Sequence, residues 1–123
     1  MDRPSKKELF NKIEQAQTAA NNNKVLIIDS AVIASDAIEL GYQIKEIVKV
    51  LLIVLNEIIP QNYVGYHPPQ RSYKPEISEL ELFAFCWLSK SFGCHAYLKF
   101  CLKKEYMYLV SLHQHRQVEG GGP

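Results

Sequence analysis

Ala96-Tyr-Leu-Lys-Phe-Cys-Leu-Lys103 and Tyr106-Met-Tyr-Leu-Val-Ser-Leu-His113 flank the pair Lys104-Glu105. Both runs alternate apolar with other side chains, and that period of two predicts a β-hairpin. In the simplest register Leu98, Phe100 and Leu102 share a face with Met107, Leu109 and Ser111. Tyr97, Lys99, Cys101 and Lys103 then share the other face with Tyr106, Tyr108, Val110 and Leu112. The first face is expected to cover a core, the second to meet solvent or a ligand. His113 falls opposite Ala96 on the core side, so it joins Tyr97 only if the strand twists or bulges.

Upstream, Leu80 to Leu88 carries Phe83, Phe85 and Trp87 and reads as another strand, with Ser89 to Gly93 as its connection to the hairpin. Pro60, Pro68, Pro69 and Pro75 exclude a regular helix from Pro60 to Ser78. Ile44 to Ile59 is apolar around most of its circumference, which predicts a central core helix ending before Pro60. It is too short to span a membrane and contains Lys45, Glu46, Lys49 and Glu57. Asp29 or Ser30 can cap a helix through Ile33, Ala37 and Leu40 that stops at Gly41. Lys24 to Ile28 is either a short strand or an extended lead-in to that helix. Ser5 with Glu8 forms a capping-box pattern that opens a first helix, Lys6 to about Ala20, and Asn21-Asn22-Asn23 tolerates the left-handed backbone that ends one.

The fold class expected is α+β: N-terminal helices packed on one face of a small antiparallel sheet that ends in the C-terminal hairpin. At 123 residues, 47% hydrophobic and 22% charged, the chain suits one domain over 1–116, with 117–123 a flexible tail or a vector-derived remnant. Cys86, Cys94 and Cys101 are odd in number and at no zinc-finger spacing, as expected of reduced thiols in a cytoplasmic protein. The charged N-terminus has no apolar signal core, which also predicts a cytoplasmic location. There is no glycine-rich phosphate loop, and no cofactor is expected.

A net charge of +1 gives no general argument for nucleic-acid binding, so an anionic partner requires a local cluster. The C-terminal half supplies one, with His67, Arg71, Tyr73, Lys74, Lys90, Tyr97, Lys99, His113, His115 and Arg116. Lysine and arginine neutralise phosphates, and tyrosine and histidine stack on unpaired bases, so the set suits single-stranded RNA. Metal-free RNA cleavage needs a base for the 2′-hydroxyl, cations for the crowded phosphorane and an acid for the 5′-oxygen. His113 or His115 could move the protons, with Arg71, Lys74, Lys99 or Arg116 supplying charge. Equally, Lys99 and Lys103 could be solvated strand lysines, and Tyr63, Tyr66 and Tyr73 could pack between proline turns. His113 and His115 could ligate a metal from one strand face, but no carboxylate or thiolate stands at ligand spacing, so no metal site is expected.

Ser30-Ala31, an acidic helix closing in Glu39-Leu40-Gly41, an apolar helix, Tyr63 just after it, Ala96-Tyr97-Leu98-Lys99 and Tyr108-Leu109-Val110-Ser111 occur in that order. Over roughly Ser30 to Arg116 this order resembles MqsR-type toxins of the RelE-like group. The resemblance implies a metal-independent endoribonuclease that cuts mRNA as the toxin of a type II toxin-antitoxin pair. A cognate antitoxin would hold it inactive, no membrane is involved, and a homodimer stays open. Tyr97 and Lys99 match the family's strand tyrosine and the lysine two residues on; His113, His115 and Arg116 match its next basic residue only in kind. The family's lysine directly after the tyrosine is absent, since this chain reads Tyr63-Val64-Gly65-Tyr66. Either the cation has moved to Arg71 or Lys74 on the proline-rich loop, or nuclease activity is altered or lost. The expected catalytic set is therefore Tyr97, Lys99, His113, Arg71 and Lys74, with Tyr63, His67, Tyr73, His115 and Arg116 binding RNA. The alternative is a non-catalytic regulatory or interaction module whose recognition loop is Pro60 to Ser78.

Overall fold

A computed structural model describes residues 2–115, so Arg116 and the expected tail at 117–123 lie outside the described residues. Helix α1 spans Lys6–Asn21, and Ser5 Oγ accepts the Glu8 amide at 3.0 Å as the capping pattern predicts. The Glu8 carboxylate is drawn instead to Arg3. Asn23 takes a positive φ of 57° beyond the helix end. Strand β1, Val25–Ile27, leads into α2, Ser30–Leu40, which Asp29 caps and Gly41 ends at φ 93°. Few residues besides glycine adopt that backbone readily.

The core helix is shorter than the Ile44 to Ile59 that hydropathy predicts. A 3-10 turn, Ile44–Glu46, precedes α3, Ile47–Leu55. Side chains end it: Gln17 Nε2 donates to the Leu55 carbonyl and Asn56 Nδ2 to that of Leu52, both at 2.9 Å. These polar groups satisfy carbonyls that a continuing helix would have used.

The remaining strands are β2 Phe83–Ser89, β3 Cys94–Lys103 and β4 Tyr106–Gln114. The sheet order is β1-β4-β3-β2; β2, β3 and β4 are antiparallel, while β1 runs parallel to β4. The sheet is thus mixed within the expected α+β class, because Val25–Ile27, inside the 24–28 run, form a strand of their own. β2 starts later than Leu80. Leu80 and Leu82 pair with the proline-rich loop instead, through Ser72 N to Leu80 O (2.9 Å) and Leu82 N to Gln70 O (2.7 Å).

The hairpin turns at Lys104-Glu105 as expected, but its register breaks once. Phe100 pairs with Leu109 and Lys99 with Ser111, leaving Val110 without a partner. Beyond this bulge Leu98 faces Leu112, and Tyr97 faces His113. Leu112 therefore belongs to the helix-facing side and Ser111 to the other, the reverse of the simple alternation. The cause is energetic. An unbulged strand would expose Leu112, which is fully buried, and full burial of a leucine stabilises by about 1.5–3 kcal/mol.

The helix-facing side packs Phe85, Leu98, Phe100, Met107, Leu109 and Leu112 against α1, α2 and α3. The opposite side is only half open. Around buried Cys101, a second cluster of Ile28 and Ile77 gathers Leu80, Leu82, Tyr108 and Val110. The proline-rich loop thus seals the Cys101 part of the outer face and leaves the Tyr97 part uncovered.

Candidate RNA-binding face

β3 and β4 position the open part of the outer face. Tyr97 and Lys99 alternate with buried Leu98 and Phe100, and the bulge brings His113 onto the same side. The Tyr97 and His113 rings lie 5.0 Å apart with planes 23° from parallel; His115 stacks at 6.3 Å and 22°. Lys99 Nζ sits 5.9 Å from the Tyr97 ring centroid. Tyr97, Lys99, His113 and His115 are thereby brought together as expected.

Protonation follows from their surroundings. Burial, with a smaller contribution from Cys86, raises the Tyr97 phenol above its ordinary range, so it keeps its proton and acts as a donor. His113 Nδ1 lies 2.9 Å from the Gln114 carbonyl oxygen. A carbonyl only accepts, so Nδ1 carries the hydrogen of this bond and leaves Nε2 as the ring nitrogen not engaged by it.

A cleft of about 190 Å³ opens beside Tyr97 and Lys99. Leu82 and Ala84 form its floor, and Val64, Gly65, Tyr66 and Gln70 form the facing wall. On the other flank, Asp36 and Glu39 share a depression with His113 and His115. The Asp36 carboxylate makes that flank less favourable to an anion than the Lys99 side. A larger hollow of about 610 Å³ lies between α1 and the hairpin turn, but helix-surface residues such as Asn11 and Gln15 line it, with no imidazole or phenol.

The other expected residues lie elsewhere. Arg71 pairs with Glu81 across the small ladder, opposite in phase to Gln70, and its guanidinium donates to the Glu79 carbonyl at 3.4 Å. Glu81 is in turn held by Arg3, at 2.8 Å. Arg71 is thus turned toward the start of the chain, and neither it nor exposed Lys74 lines the cleft. Tyr63 is held apart from the Tyr97 stack: its ring packs on Phe85 and His67, its hydroxyl donates to the Tyr66 carbonyl, and burial pushes the phenol up to about 12. His67, beside Tyr63, has Nδ1 3.1 Å from the Arg3 carbonyl. Tyr73 is 87% exposed on the loop. Among the described residues, no group of three His, Cys, Asp or Glu forms a ligand set.

Sequence reasoning missed Gln70, Tyr66 and Glu57. Glu57 accepts from Trp87 Nε1 (2.8 Å), Ser89 Oγ (2.7 Å) and both the amide and hydroxyl of Ser91 (3.0 and 2.6 Å). Burial opposes its charge, but these bonds from Ser91, Trp87 and Ser89 outweigh it and hold the carboxyl below its ordinary range. It anchors the β2–β3 turn to the end of α3. A signal for the bulge was present, since Ser111 and Leu112 break the hairpin's alternation.

Comparison with protein-family models finds no match, and no curated protein matches the chain. Among the described residues, no helix is long and apolar enough to cross a membrane.

Proposed function

We propose that this chain is a metal-independent endoribonuclease that cuts mRNA, the toxin of a type II toxin-antitoxin pair related to MqsR-type toxins. Its place is the cytoplasm, where its substrate and its antitoxin are made. The observation that supports it is the Val110 bulge, which sets His113 beside Tyr97 and Lys99 on an open sheet face. His113 Nε2 takes the 2′-hydroxyl proton and the 2′-oxygen attacks phosphorus. Lys99 offsets the charge added to the non-bridging oxygens. The P–O5′ bond breaks and the 5′-oxygen leaves with the Tyr97 proton, which His113 then restores. The products are a 2′,3′-cyclic phosphate and a 5′-hydroxyl.

Two exposed loop tyrosines, Tyr66 and Tyr73, favour a second reading, a non-catalytic partner-binding module. Labelled mRNA incubated with the purified chain in excess chelator separates the two. Fragments ending in cyclic phosphate, lost in the Tyr97→Phe, His113→Ala double variant, are expected. Intact RNA, together with unimpaired growth on induced expression, would leave only the binding module.

A further inference from the structure

We infer that the cleft beside Tyr97 and Lys99 holds one unstacked nucleobase and that the Gln70 amide reads its edge; this rests on the RNA reading above. At about 190 Å³ the cleft has room for roughly six waters at ~30 Å³ each, enough for one heterocycle but not for two. Its floor is apolar and its rim carries the Tyr66 and Tyr97 rings, which suit the flat faces of a base. No carboxylate lines it, so a cationic ligand finds no counter-charge there.

The walls are fixed in advance. Val64 N donates to Ala84 O at 2.9 Å, and Leu82 N to Gln70 O at 2.7 Å, so both ends of the facing segment are tied to the sheet side of the cleft. Between them Gly65 lies directly on the Tyr63 ring, where a Cβ would come within 2.5 Å of the phenol oxygen. Such preorganisation spares a ligand the ordering of a loop.

Gln70 spends its backbone carbonyl on this frame, whereas its side-chain amide has no hydrogen-bond partner among the described residues. One donor group and one acceptor side by side match the polar edges that an unpaired base presents. Lys99, on the same cleft, is then placed for the phosphate attached to that base.

The test uses the full chain and 2′-O-methyl pentanucleotides, which cannot be cleaved: penta-A, penta-C, penta-U and a pentamer lacking bases. Fluorescence anisotropy is expected to show the baseless strand bound weakest and a spread of about tenfold among the three bases. Gln70→Leu, at an exposed site, should shrink that spread below twofold. A baseless strand bound as well as the others, or a spread that survives Gln70→Leu, overturns the base pocket and leaves the RNA reading standing. Failure of the parent chain to bind any pentamer overturns both.

Discussion

The His113 imidazole stacks 5.0 Å from the Tyr97 ring because Val110 has no partner across the hairpin. Replacing His113 by alanine removes the imidazole nearer to Tyr97 and should slow single-turnover RNA cleavage by about 10²–10⁴-fold, the range for a lost proton-transfer group. Tyr97→Phe keeps the stack and removes the proton donor. Its loss should fall on the cleavage rate and leave RNA affinity within about threefold. Parent-like rates in both variants would remove these residues from the chemistry.

Deleting Val110 tests the bulge itself. Ser111 would then follow Leu109 directly and the hairpin would pair in unbroken register, with Leu112 still inside and His113 still beside Tyr97. Only the half-buried Val110 side chain leaves the Cys101 cluster, so the destabilisation should stay below about 2 kcal/mol, read from the denaturant midpoint. A loss of about 2–5 kcal/mol, as for a leucine expelled from the core, would overturn this register.

Glu57→Ala should cost about 1–3 kcal/mol, because Trp87 Nε1 and Ser89 Oγ would lose their acceptor in a half-buried place. The sign with pH is fixed by the direction of its shift. A carboxyl held low in the folded chain stabilises above the ordinary carboxylate range and loses that contribution as pH falls below about 4.5. Denaturant titrations near pH 7 and pH 3 should therefore separate parent from variant at the first and bring them together at the second.

The hairpin, its turn and the caps at Ser5 and Gly41 were legible because period, turn position and capping chemistry are local. The placement of Leu98 and Phe100 inside followed from alternation alone. Long-range choices were not legible. Nothing near Arg71 in the chain says that it meets Glu81 rather than Tyr97, and nothing near Glu57 foretells Trp87 and Ser91. Tyr63 reads like Tyr66 in a proline-rich run, yet one packs on Phe85 and the other stands at the cleft. The bulge was half legible: Ser111 and Leu112 mark a break in pattern without saying which residue is skipped.

Alkaline titration should distinguish the buried phenols. Burial pushes both Tyr42 and Tyr63 up to about 12. A raised folded value means stability is intact below the ordinary phenol value of 10 and is lost as pH climbs toward 12. Phenolate absorbance should therefore rise in two stages, the later one accompanied by a falling denaturant midpoint. A single stage near pH 10 with no loss of stability would show these rings to be freely solvated.

The parallel pairing of β1 with β4 has a consequence in time. Val25 joins Met107, and most of the described chain lies between them. During synthesis α1 and α2 leave the ribosome first, while β4 emerges last of the strands. The sheet edge and the reactive stack must therefore close together, at the end. Non-local pairing of this kind makes for slow folding, so a growing chain passes through most of its length with its helices made and the Tyr97–His113 stack still unassembled.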